Sequence, residues 1–136
     1  MNVKFDTTTL QHIKLFENLT SAKVKDCLVT QDKIIFVVPR GELGKAIGRQ
    51  SYNLKNLKLL LKKDVDILEH SENLAQFIKN IFYRYKVKDV KIEEGRAIIT
   101  VDPLDKGKAI GKGSRNLKIA RELVSRHYQI KSLVVR

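Results

Sequence analysis

The sequence predicts an α+β protein built from two tandem copies of one α-β-β-α-α-β module, each a three-stranded sheet backed by helices. Three observations predict it. The chain repeats itself without gaps at a spacing of 63 residues. Each repeat runs from a helical apolar period through two β-branched stretches and back to a helical period. Each also carries the phrase Gly-Lys-Ala-Ile-Gly at the same place, Gly44–Gly48 and Gly107–Gly111.

The repeat sets Val24-Lys25-Asp26 on Val87-Lys88-Asp89, and Ile35 and Val38 on Ile98 and Val101. Downstream, Ser51, Asn53, Leu54 and Lys55 fall on Ser114, Asn116, Leu117 and Lys118; from Val24 to Lys58, 14 of 35 aligned positions are identical. A unit of this length exceeds a solenoid repeat and is about the smallest that sustains its own core. Two small domains are therefore expected, 1–69 and 70–136. The connection Glu69-His70-Ser71 spans only about 10 Å, so the two modules are expected to have limited freedom.

Each element follows from local chemistry. Leu10, Ile13 and Phe16 stand at helical spacing between Asp6 and Asn18, as do Leu74, Phe77, Ile78, Ile81 and Phe82 between Ser71 and Tyr83. Strands are expected over Val24–Thr30 and Lys33–Val38 around a Gln31-Asp32 turn, and over Val87–Ile92 and Ala97–Val101 around Glu94-Gly95. Pro39 and Pro103 close the second strand of each pair, because proline cannot donate to a ladder. A short helix then runs to Gly48 or Gly111. A longer helix follows, with Ser51 or Ser114 as its expected N-cap. Leu54, Leu57, Leu60 and Leu61 should form its buried face, matched by Leu117, Ala120, Leu123 and Val124. A last strand, Val65–Leu68 or Ile130–Val135, completes each module.

Composition narrows the function. The chain has 136 residues, 27 Lys and Arg against 15 Asp and Glu, and a formal charge of +12, a balance that favours polyanionic partners. Seven basic residues and one acidic residue lie between Arg40 and Lys63, and the same numbers recur between Lys106 and Arg126. Half of the positive charge thus sits in the two helix-turn-helix segments, whereas charge serving solubility alone would be scattered evenly. The longest clean apolar run is Ile34–Val38, far short of the roughly 18 residues of a membrane span, and Lys4 and Asp6 stand where a secretory leader would be apolar. A cytoplasmic monomer with no membrane partner is expected. One cysteine, Cys27, and three scattered histidines, His12, His70 and His127, give no disulfide and no metal-ligand spacing. Neither metal nor cofactor is expected, and Cys27 reads as a small buried residue of a strand.

The chemistry concentrates at the turn between the paired helices. Ile47-Gly48-Arg49-Gln50-Ser51 and Ile110-Gly111-Lys112-Gly113-Ser114 each join one helix C-terminus to the next N-terminus, setting backbone N–H groups beside a cation. Glycine at the first turn position permits a positive φ and a close approach by a sugar-phosphate chain, and Arg49 and Lys112 supply charge. Asn53, Lys55, Arg115, Asn116 and Lys118 sit in the first turn of the second helix, where they could touch phosphate or form a solvated face. Tyr52 is the aromatic residue placed to stack on a base.

These loops resemble the Ile-Gly-x-x-Gly core of the KH fold, which clamps about four nucleotides, with Ser51 and Ser114 in place of the final glycine. The element order is similar to that of type II KH domains. Ala109-Ile-Gly-Lys-Gly-x-x-Asn116 closely resembles the second KH module of NusA, and the likeness covers nearly the whole chain, in the manner of the short archaeal members of that family. The resemblance implies single-stranded RNA binding in transcription elongation or termination, with RNA polymerase as a candidate partner. It implies backbone contacts from Gly48, Arg49, Gln50 and Ser51 and from Gly111, Lys112, Gly113 and Ser114. Ile47, Leu54, Ile110 and Leu117 would then line the floor on which bases rest, although plain core packing uses the same side chains.

Two rival classes stand beside this one. A KH protein of ribosome maturation or RNA decay would show the same modules. A nucleotide hydrolase would need Gly-Lys-Ser/Thr contiguous in Gly107–Ser114, where Gly113 intervenes, and no carboxylate pair or nucleophile-histidine set accompanies either loop. The expectation is a binding protein, not an enzyme.

Overall fold

The structure is a computed structural model that describes residues 6–136; the expected start of the first module over residues 1–5, Lys4 included, lies outside them. The described chain separates into two compact units, one ending at Ser71 and the other beginning at Glu72.

In the first unit, helix α1 (Thr7–Thr20) starts where the Asp6 side chain accepts a hydrogen bond from the Thr9 amide at 2.7 Å and stops at Ser21, whose φ of 62° is left-handed. Strands β1 (Asp26–Val29) and β2 (Lys33–Val38) pair antiparallel, and β3 (Asp64–Glu69) joins β2 in parallel, giving the sheet order β1-β2-β3. Between β2 and β3 lie a short helix α2 (Leu43–Ile47) and a longer helix α3 (Tyr52–Leu61). A parallel return needs such a crossover, and this one carries the loop. Phe16 of α1 stacks on Phe36 of β2 at 4.4 Å, and Cys27, Ala46, Leu57 and Val65 complete the buried cluster around them.

The second unit repeats the order. Helix α4 (Leu74–Ile81) precedes β4 (Val87–Glu93), β5 (Arg96–Val101), α5 (Lys106–Ile110), α6 (Arg115–His127) and β6 (Ser132–Val135). Its sheet order is β4-β5-β6, again antiparallel then parallel. Glu94 and Gly95 both have positive φ, as a two-residue hairpin turn requires. Phe77 and Ile78 of α4 are buried, and Phe77 meets His127 edge-on at 6.0 Å. Both units therefore have the α-β-β-α-α-β, type II KH arrangement that the sequence predicts.

Several boundaries and faces differ from expectation. Helix α4 is shorter than 71–83 because Asn73 caps it, accepting from the Gln76 amide at 2.9 Å, which leaves Ser71 and Glu72 outside. Val24 falls outside β1 and Ile130 outside β6. Leu10 is 52% exposed and Leu60 is 58% exposed, so neither belongs to a buried face. For Leu60 the cause is local: α3 stops at Leu61, before the left-handed Lys62, while its counterpart α6 continues to His127 and buries Leu123. The other expected residues of α6, Leu117, Ala120 and Val124, are buried.

Candidate RNA interface

The turn between the paired helices has the same backbone in both units. Gly48 adopts φ 81°, ψ 168° and Gly111 adopts φ 82°, ψ 163°, a region open essentially to glycine alone. The steric reason lies across the turn. A Cβ on Gly48 would stand 2.9 Å from the Asn53 amide nitrogen, and one on Gly111 would stand 3.0 Å from the Asn116 backbone nitrogen. The first loop glycine is therefore required twice over, by torsion and by contact.

The next positions fold into a tight helical turn. The Gly48 amide donates to the Gly44 carbonyl at 2.9 Å and the Ser51 amide to the Gly48 carbonyl at 3.1 Å, with the Gly111 and Ser114 amides doing the same in the second unit. These bonds consume two amides of each loop. The amides of Arg49 and Gln50, and of Lys112 and Gly113, precede the first helical acceptor and have no carbonyl within their turn to receive them. They stand beside the exposed Arg49 and Lys112 side chains.

Ser51 and Ser114 correct the sequence reading. Both occupy the N-cap position, but neither makes a side-chain capping bond, because each is left-handed (φ 61° and 62°) where a capping residue is extended. The residue before each serine is left-handed too: Gln50 at φ 53° and Gly113 at φ 63°. The first loop thus holds two successive non-glycine residues in a conformation that disfavours side chains, and the second holds one.

Asn53 and Asn116, read from sequence as RNA contacts, each commit an amide donor inside the turn. Asn53 donates to the Lys45 carbonyl at 3.2 Å and Asn116 to the Lys108 carbonyl at 2.9 Å. Each ties the open end of the short helix to the first turn of the long one, satisfying a carbonyl that the helix leaves without a partner. Asn116 also reaches the hydroxyl of Tyr85 at 3.2 Å. Sequence reasoning missed Tyr85. Its counterpart at the 63-residue spacing is the buried Ala22, outside the matched stretch that begins at Val24, so the repeat carried no signal for it.

The remaining site residues surround the turn. Lys55, Arg115 and Lys118 are exposed on the long helices, and Tyr52 is 65% exposed beside the first loop. Among the described residues, Lys33, Lys45, Lys58, Lys91 and Arg126 stand in ion pairs, none of which involves Arg49, Lys55, Lys112 or Lys118. Ile47 and Leu54 are half-buried against the first core, Ile110 is half-buried, and Leu117 is buried. Among the described residues there is no cluster of His, Cys, Asp or Glu able to hold a metal, and no helix long and apolar enough to cross a membrane.

Comparisons with known proteins match this architecture unit by unit. The model of the NusA-like second KH domain matches residues 74–134, and a KH domain model matches residues 11–72. The probable transcription termination protein NusA of Methanococcus vannielii is 35% identical over 139 residues, covering 99% of this chain and 80% of that protein. The chain belongs to the archaeal NusA family. Family members of the same name from Halococcus morrhuae and Thermoplasma acidophilum are 34% and 30% identical, and each alignment covers 96% of the relative. The crystal structure of APE1850 has a TM-score of 0.76 at 33% identity and covers 97% of this chain and 100% of that one. Family membership favours transcription over the ribosome-maturation and RNA-decay readings, since the NusA relatives carry a transcription name over nearly the full length of this chain.

Proposed function

We propose that the protein binds single-stranded RNA through the two loops and acts in transcription termination or elongation. The observation that carries the proposal is the duplicated turn. In each copy, a glycine with glycine-only torsions opens the backbone, two amides have no carbonyl partner within the turn, and an exposed cation stands beside them. That combination suits a phosphodiester chain. In this reading the modules 1–69 and 70–136 each contribute a clamp. Gly48 to Ser51 and Gly111 to Ser114 meet phosphates, Lys55, Arg115 and Lys118 extend the contact, and Ile47, Leu54, Ile110 and Leu117 face the bases, with Tyr52 stacking at the first loop. Asn53 and Asn116 shape the turn and present their remaining oxygen.

The reading is of binding without catalysis. Neither loop follows a strand directly, as a nucleotide-binding P-loop would, and each joins two helices instead. A cytoplasmic location and RNA polymerase as a second partner follow from the same proposal.

Fluorescence-anisotropy titration of short single-stranded RNA tests it with three variants: Arg49→Asp/Gln50→Asp, Lys112→Asp/Gly113→Asp, and the two combined. Folded variants should lose affinity, the combined one most. If about six phosphates are neutralised, wild-type affinity should fall roughly 10²- to 10³-fold between 50 and 200 mM salt. Unchanged binding by a folded combined variant would remove the loops from the mechanism.

A further inference from the structure

The helices cover one face of the second sheet, and the opposite face carries a second cationic surface. Cross-strand register sets Arg96 beside Ser132 and Ile98 beside Val134, and the period of two places Arg136 on the same face. The ladder continues to Arg136, whose amide donates to the Ile99 carbonyl at 2.7 Å and whose carbonyl accepts from the Val101 amide at 3.0 Å. Arg96, Ile98, Lys131, Ser132, Val134 and Arg136 line one concavity there. Its floor is the half-buried pair Ile98 and Val134, and its two arginines stand at opposite ends, four residues apart along the strand direction, or about 13 Å.

All three cations are exposed, and the ion pairs of Lys33, Lys45, Lys58, Lys91 and Arg126 involve none of them. Lys131 is also held in place. Its amide donates to the Gly95 carbonyl at 2.6 Å, and its aliphatic stem lies where a Cβ on Gly95 would be 3.3 Å from Lys131 Cγ. The neighbouring β4 row adds Asp89, Lys91 and Glu93; Glu93 stands opposite Arg96 in register, but its carboxylate pairs with Lys91 at 3.0 Å. Lys131 and Arg136 on the β6 side therefore stand farthest from the β4 carboxylates.

We propose that this face is a second phosphate-binding surface, engaged by RNA that extends beyond the nucleotides held in the loops. Two guanidinium groups flanking an apolar floor suit phosphates on either side of a base laid on Ile98 and Val134, because arginine forks match phosphate oxygens bidentately while the floor accepts a base face of any identity. The inference rests on the RNA-binding reading. It adds a site on the opposite side of the sheet from the loop-bearing helices.

The test compares Arg96→Glu/Arg136→Glu with the combined loop variant Arg49→Asp/Gln50→Asp/Lys112→Asp/Gly113→Asp in the full chain, each checked by thermal denaturation, on two single-stranded RNAs of about 5 and about 20 nucleotides. The sheet variant should bind the short RNA like wild type. It should bind the long RNA at least about tenfold more weakly, with the log-log salt slope reduced by about 1.4, the loss of two phosphate contacts on a single strand. Arg96→Lys/Arg136→Lys should restore most of the slope. Wild-type affinity of the sheet variant for the long RNA, with the loop variant impaired, would overturn this proposal while leaving the loop reading intact, and would assign the face to an acidic protein instead. Full binding by both variants, or no RNA binding by wild type, would overturn both.

Discussion

Replacing Gln50 by glycine should stabilise the first unit, and the structure sets the size of the effect. Gln50 is exposed at φ 53°, ψ 33° and is followed by a second left-handed residue, Ser51. A left-handed conformation costs a residue with a Cβ about 1–2 kcal/mol. Glycine removes that cost but returns about 0.5–1 kcal/mol through the greater freedom of the unfolded chain. The net gain is about 0.5–1 kcal/mol. For a unit of this size that is a rise in melting temperature of about 2–8 °C. The repeat supplies the reciprocal experiment: Gly113→Gln should destabilise the second unit by a similar amount, and since a Cβ at Gly113 meets nothing within 4 Å, the effect is one of backbone alone. Differential scanning calorimetry on the intact chain, with amide hydrogen exchange to assign the change to a unit, measures both. A Gln50→Gly protein that melts at or below wild type, beside a neutral Gly113→Gln, would refute the strain argument.

Three further outcomes follow from the same geometry. Gly48→Ala or Gly111→Ala should destabilise its own unit by about 1–3 kcal/mol in urea titrations and weaken RNA binding, since glycine-only torsions and a close asparagine both oppose the new methyl group. Asn116→Ala should cost more than Asn53→Ala, by about 1 kcal/mol, and Tyr85→Phe should remove most of that difference, because only Asn116 has the tyrosine hydroxyl as a second acceptor. His12 has its pKa lowered, first by desolvation and then by Lys63, so its neutral form favours the fold. That stability is present above the ordinary histidine pKa of about 6.5 and is lost as pH falls through the depressed value. Melting temperature should fall on acidification from about pH 7.5 to 5.5, and less so in His12→Gln.

What the sequence revealed was periodic or local. Lys33–Val38 was readable as a strand because a β-branched run ends at a proline, and Leu117, Ala120, Leu123 and Val124 were readable as a face because α6 is long enough to keep its period. Leu60 misled because nothing in its apolar neighbourhood shows that α3 stops at Leu61. The loop glycines were legible as turn formers, but the left-handed torsions of Ser51 and Ser114 were not, since serine before a helix ordinarily caps it. Tyr85 meets Asn116 across 31 residues of sequence, a contact made by packing.

The asparagine that ties each short helix to the long one bears on kinetics as well as on shape. In the proposed binding mode, a turn already closed on itself has little conformational freedom left to surrender when RNA arrives, so encounter and capture need no slow rearrangement of it. Differences in affinity between RNA sequences should then reside mainly in how long each stays bound, and the second unit, with Asn116 held from two sides, should be the slower to let go.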